Sequence, residues 1–191
     1  MALSLFSRTR PAEPPTVEPE PWPETGETWT PEGVTVVERY ANQAGAVVLV
    51  FSADESCYYH VVACLGCHYS QSNDPDKRYS SGLTLTEAGR FANAHATSCH
   101  ALPRDIPARP DDDTARDLLR KWVRGMRRRD EDVHLSFRGF DLERLFLQRT
   151  NAWIETELQR LADDEPTVLY AKRSEYSGGR LEFLVLRQPG N

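Results

Sequence analysis

Four residues carry types and spacing suited to holding a metal ion: Cys64, Cys67, His95 and Cys99, in the order C-x2-C-x27-H-x3-C. In Cys64-Leu65-Gly66-Cys67 a tight turn with glycine inside aims two thiolates at one point. His95 and Cys99 stand four residues apart, about one turn of helix, so a second pair of ligands shares one face. Three sulfurs and one imidazole in tetrahedral reach are the ligand set zinc prefers, and four protein ligands close the coordination sphere in the manner of a structural centre. The sequence therefore predicts one structural zinc ion.

Several other readings of the same residues have to be weighed. A histidine and a cysteine on the apolar face of a helix are commonly core packing, so His95 and Cys99 by themselves signal little. Joined to the C-x-x-C they signal much more. His68 or His100 can stand in for one ligand, whereas Cys57 reads as a plain strand residue. Cys64 to His68 is also C-x-x-C-H, the attachment signature of c-type haem, but that reading requires export and leaves His95 and Cys99 without a purpose. A dithiol redox site belongs at a helix N-terminus in a βαβ unit, which this stretch does not resemble. For a catalytic zinc, the deaminase pattern needs H-x-E and P-C-x-x-C. Here Thr97 follows His95 by two positions and Ala63 precedes Cys64. No catalytic residue is assigned, and the chain reads as a non-enzyme.

In its ligand residues the chain resembles the ββα C2H2 and C2HC zinc fingers, over about 36 of its 191 residues. The 27-residue spacer departs from the roughly 12 of the DNA-reading fingers. The resemblance therefore implies a zinc site but not base-reading geometry. The Arg-, Ala- and Asp-rich composition together with this motif also resembles that of small actinobacterial zinc-binding proteins, which implies no activity.

The elements that must position these ligands follow from local patterns. Val34 to Val37, Ala46 to Phe51 and Tyr58 to Val62 are short β-branched or aromatic runs separated by the turns Asn42–Gly45 and Ser52–Ser56. They predict a three-stranded meander, although Val34, Val37, Tyr40 and Ala41 would also fit one face of a helix. Ser70 to Gly82 reads as a polar loop. Thr84-Leu85-Thr86-Glu87 is a capping box that opens a helix over 84–101, with Ala88, Ala92, His95 and Cys99 on one side and Pro103 ending it. A second helix is predicted over 112–129, opened by Asp111, Asp112 and Asp113. A third, over 141–162, presents Leu142, Leu145, Phe146 and Trp153 beside Leu147, Ile154, Leu158 and Leu161. Thr167–Arg173 and Arg180–Arg187 read as a hairpin whose loop, Ser174–Gly179, carries Tyr176.

Charge is concentrated on the second helix. Thr114 to Arg129 holds seven basic residues and one acidic residue. Arg116, Arg120, Arg124 and Arg127 or Arg128 recur along one face, with Leu118, Leu119, Trp122, Val123 and Met126 opposite, so Arg116, Arg120, Lys121, Arg124, Arg127 and Arg128 are the candidate binding residues. One reading is contact with nucleic-acid phosphates or with an acidic protein. The other is that these arginines pair with nearby Asp111–Asp113, Asp130, Glu131 and Asp132. No base-reading constellation accompanies them, so any nucleic-acid contact would be electrostatic and non-specific. Trp122 and Trp153 read as core.

Composition frames the rest. Pro11 to Thr30 contains six Pro, five Glu and no Lys or Arg, so residues 1–30 are predicted to be a solvated acidic tail, and the segment from Glu13 to Glu27 is positioned to screen the basic helix. Residues 31–191 are predicted to form one α+β domain with a zinc module at 57–102. No run approaches the ~18 to 20 apolar residues of a membrane span. Met1 to Pro15 lacks the pattern of a signal peptide. The expectation is a cytoplasmic binding or regulatory protein with no membrane partner, its partner being nucleic acid or, alternatively, an acidic protein met as an adaptor.

Overall fold

The structure, a computed structural model, describes residues 26–53, 59–77, 82–135, 140–173 and 181–188. Cys57, Tyr58, Tyr176 and the acidic tail up to Thr25 lie outside the described residues.

The first sheet is an antiparallel meander of β1 (Thr35–Ala41), β2 (Val47–Ser52), β3 (Val61–Cys64) and β4 (Ser70–Gln71), in spatial order β1-β2-β3-β4. The ambiguous first segment is a strand. It pairs with β2 from Thr35↔Ser52 to Ala41↔Val47, with a bulge between Val36 and Glu38. β2 is buried along its whole length because both faces of the sheet are covered. Val48, Val50, Val62 and Cys64 face one core cluster, while Val47, Leu49, Phe51, Val61 and Ala63 face another with Trp29 and Leu145. Alternation along the strands thus points Cys64 to the face that carries α1 (Leu85–Ser98). The polar insert contributes β4, which extends the meander by a two-residue pairing.

Helix α1 begins with the predicted capping box: the Thr84 hydroxyl accepts from the Glu87 amide, and the Glu87 carboxylate accepts from the Thr84 amide at 2.9 Å. Its buried residues are all alanines, Ala88, Ala92 and Ala96, with Phe91 packed partly against the same cluster. Small side chains allow the helix to approach the sheet closely but bury little apolar surface.

Beyond α1 the chain builds a second layer. α2 (Asp112–Gly125), α3 (Asp141–Leu147) and α4 (Asn151–Asp164) accompany a three-stranded sheet of β5 (Val133–Leu135), β6 (Leu169–Arg173) and β7 (Leu181–Val185), in order β5-β7-β6. Leu119, Val123, Ile154, Leu158, Leu169 and Phe183 share its core, and Trp122 and Trp153 pack against it as expected. The C-terminal hairpin is present, in register from Leu169↔Val185 to Arg173↔Leu181. The architecture is α+β, as the sequence indicates.

Two differences have clear causes. The helix expected over 141–162 is broken into α3 and α4 because Gln148 adopts a left-handed conformation (φ 48°) and Thr150 caps a new helix by accepting from the Trp153 amide. The break is secured by Arg149, whose buried guanidinium donates to the carbonyls of Leu147, Gln148 and Pro110 and pairs with Asp112 at 2.9 Å. Gly33 lies against this break with φ 80°, where a side chain would overlap the Arg149 carbonyl. The second helix stops at Gly125, short of 129, and Arg127 beyond it donates to the carbonyls of Thr167 and Leu186, which flank the strands of the second sheet.

Candidate metal centre

Cys64 is the last residue of β3. A turn closed by the His68 amide donating to the Cys64 carbonyl at 2.9 Å then returns the chain to β4, carrying Cys67 outward. His95 lies in the last turn of α1, and Cys99 is the residue that caps it, its amide donating to the His95 carbonyl at 2.8 Å. The four side chains predicted from sequence converge: one ligand atom from each of Cys64, Cys67, His95 and Cys99 lies within 4.8 Å of every other. Tetrahedral sulfur ligands at about 2.3 Å from an ion stand about 3.8 Å apart, so a shift of under an ångström completes such a site. Cys67 Sγ and His95 Nε2 already stand 3.3 Å apart. The cluster can hold a metal ion.

Hydrogen-bond donors reach the sulfurs of the cluster. The Tyr69 amide donates to Cys67 Sγ at 3.4 Å, and the Asn42 side-chain amide donates to Cys99 Sγ at 3.5 Å. Hydrogen bonds from the Ala101 amide and then from Asn42 hold the Cys99 thiol below its ordinary value. Cys64 behaves oppositely: burial pushes its thiol up to about 11, although the amides of Cys67 and Gly66 donate to its sulfur. A buried thiolate of this kind calls for a cation beside it. Burial also lowers the His95 pKa, favouring the neutral imidazole that coordinates metals. The Tyr69 ring stacks on the His95 ring with centroids 4.1 Å apart and planes 8° from parallel, fixing the imidazole's orientation.

Asn42 and Tyr69 were missed in the sequence. Asn42 was visible only as part of a turn, and its real use is to accept from the Ala44 and Ala46 amides while donating to Ala101 and Cys99. The alternative ligands are not in the cluster. His68 is exposed, sits in a left-handed conformation (φ 62°), and points its Nε2 within 3.5 Å of Arg104 and its ring edge towards Phe146. His100 is exposed and follows the last ligand. The C-x-x-C turn leads into β4 and not into a helix, so no helix N-terminus faces its sulfurs.

Most of the basic residues on and just after α2 are paired within the protein. Arg116 pairs with Asp113 at 2.7 Å and with Glu157 of α4 at 3.1 Å. Arg120 pairs with Asp117 at 3.0 Å and Glu165 at 3.1 Å, and Arg124 reaches the same Glu165 at 2.8 Å. Arg127 donates to the carbonyls of Thr167, Leu186 and Arg187, and Arg128 pairs with Glu131. Lys121 is exposed and, with Glu143, borders a largely apolar groove of about 470 Å³ lined by Leu118, Trp122, Met126, Phe146 and Leu147. Among the described residues no helix is long and apolar enough to cross a membrane.

No protein-family model, curated protein or solved structure matches the chain, so the likeness to zinc fingers rests on the four converging ligands alone.

Proposed function

We propose that the chain is a non-enzymatic binding or regulatory protein whose first layer is held together by a structural zinc ion at Cys64, Cys67, His95 and Cys99. The observation that carries this reading is the convergence of the four ligand atoms within 4.8 Å. Three sulfurs and an imidazole suit zinc, and four protein ligands leave no position open for a catalytic water. The energetic need is plain. Three buried alanine methyls contribute roughly 0.8 kcal/mol each to docking α1. A zinc centre of this type contributes on the order of 10 kcal/mol. The metal therefore dominates the attachment of α1 to the sheet.

Of the two partner classes, the acidic-protein reading has the firmer support. The arginines that would meet phosphate are occupied by Asp113, Asp117, Glu131, Glu157, Glu165 and backbone carbonyls. What α2 leaves exposed is Lys121 beside an apolar groove, with Leu118 39% exposed. An apolar anchor of a partner segment would fill this groove and a carboxylate beside it would meet Lys121, on the side away from Glu143's charge. Contact with nucleic acid remains the electrostatic, non-specific alternative.

Elemental analysis of protein purified without added metal tests the central claim. The expected result is one zinc per chain, lost in Cys64→Ser and Cys99→Ser together with folding of the first layer. A chain free of zinc, or one holding iron with a haem absorption band, overturns it.

A further inference from the structure

The four ligands are unequally protected. Cys64 and Cys99 are buried and His95 is half-buried, whereas Cys67 stands exposed at the tip of the turn. The residue that follows it, His68, is also exposed and lies 3.5 Å from the Arg104 guanidinium. The exposed sulfur of a ligand set is the one that electrophiles and oxidants reach first. Its partner for such chemistry is at hand. Cys64 and Cys67 stand three residues apart in one turn, and their sulfurs lie within 4.8 Å of each other.

We propose that Cys67 is a redox modification site, at which a peroxide converts the Cys64–Cys67 pair to a disulfide and thereby opens the clasp between β3 and α1. This rests on the metal-binding reading above. The Cys67 thiolate attacks one peroxide oxygen, the O–O bond breaks, and hydroxide leaves and is protonated to water. The resulting sulfenic acid is attacked at sulfur by the Cys64 thiolate, and its hydroxyl leaves, taking a proton to form the second water. In sum two thiolates, one hydrogen peroxide and two protons give one disulfide and two waters, the sulfurs losing the two electrons that the peroxide gains. His95 and Cys99 then remain as the only two of the four ligands, too few to retain the ion.

The structural consequence is confined. α1 meets the sheet through Ala88, Ala92, Ala96 and part of Phe91, so without the metal it is the element least able to stay docked. The cores joining α2, α4 and the second sheet share no residue with the metal cluster. Oxidation would release α1 and leave that second layer in place, converting a chemical signal into a change on one face of the protein.

The test uses the full chain with its zinc content first measured by elemental analysis. Hydrogen peroxide is then added in small excess, with zinc followed by a coloured chelator, thiols counted and disulfides mapped by peptide mass. The expected result is loss of zinc together with two thiols, a Cys64–Cys67 link, reversal by a dithiol plus zinc, and faster amide exchange in α1. Treated instead with an alkylating agent in small excess, the zinc-loaded chain should be labelled at Cys67 before Cys64 or Cys99, because Cys67 is the exposed sulfur. Zinc retained under peroxide, first oxidation or first alkylation at Cys99, or a disulfide other than Cys64–Cys67 overturns the redox inference and leaves the structural zinc standing. A purified chain without zinc sinks both.

Discussion

Cys67 Sγ, in a turn between two strands, lies 3.3 Å from Nε2 of His95, 28 residues further on in the last turn of α1. This contact joins the two halves of the ligand set across the sheet–helix boundary. It is the point at which a short spacing motif and a helical one become a single site.

Removing the metal should loosen one helix and spare the others. Chelation is expected to raise amide exchange across α1 while α2 and α4 keep their protection, since α1 buries only alanines and α2 and α4 bury Leu119, Val123, Ile154 and Leu158. Hydrogen exchange read helix by helix decides it, and uniform loss of protection would contradict it. Because the Cys64 thiol is pushed up to about 11 by burial, protons compete with the ion for this sulfur. Zinc affinity should therefore fall by ~10-fold or more per unit as pH drops below neutrality.

His68→Gly should stabilise the zinc-loaded protein by about 0.5 to 1 kcal/mol. The left-handed conformation at φ 62° costs a non-glycine residue about 1 to 2 kcal/mol, partly offset by glycine's entropy in the unfolded chain. Chemical denaturation of the two proteins measures this. Zinc content must stay unchanged; its loss would reveal His68 as a ligand after all.

Gly33→Ala should destabilise by roughly 3 kcal/mol or more, because φ is +80° and the added methyl would overlap the Arg149 carbonyl. A thermal melt within a degree or two of the parent's would show that the break between α3 and α4 does not depend on this close approach.

Glu87 should govern part of the acid limb of stability. Lys77, followed by the Thr84 amide, holds its carboxyl at about 2, below the ordinary 4.5. A carboxylate whose folded pKa is depressed contributes fully above the unfolded value and loses its contribution as pH falls through the folded one. The difference between the parent and Glu87→Gln should therefore be constant above pH 4.5 and shrink towards pH 2. Urea unfolding at several pH values tests it, and a difference that stays constant would refute it.

Freeing the arginines of α2 should uncover a latent polyanion affinity. In Glu157→Gln with Glu165→Gln, Arg116, Arg120 and Arg124 lose cross-helix partners. At low salt this variant should bind duplex DNA several-fold more tightly than the parent, with a steeper salt dependence. Tight duplex binding by the parent itself would instead restore nucleic acid as its partner.

The four ligands, the capping box at Thr84 and Glu87, the central strand and the C-terminal hairpin were legible in the sequence, because each is written in residues close along the chain: paired cysteines, a helical step, a local cap, a run of β-branched residues. Tertiary structure alone decided the rest. The β1 segment fitted either a strand or a helix until pairing with β2 settled it. β5 is three residues long and exists because β7 offers it an edge. The helix break at Gln148 depends on Arg149 finding the Pro110 carbonyl and Asp112, and the arginines of α2 were claimed by Glu157 and Glu165, about 40 residues away. Asn42 reaches Cys99 across 57 residues. Local patterns determine which groups are present and which way each element faces. Which distant charge or hydrogen-bonding group meets them is set when the layers pack, since a buried polar group must take whatever partner the folded chain brings within reach.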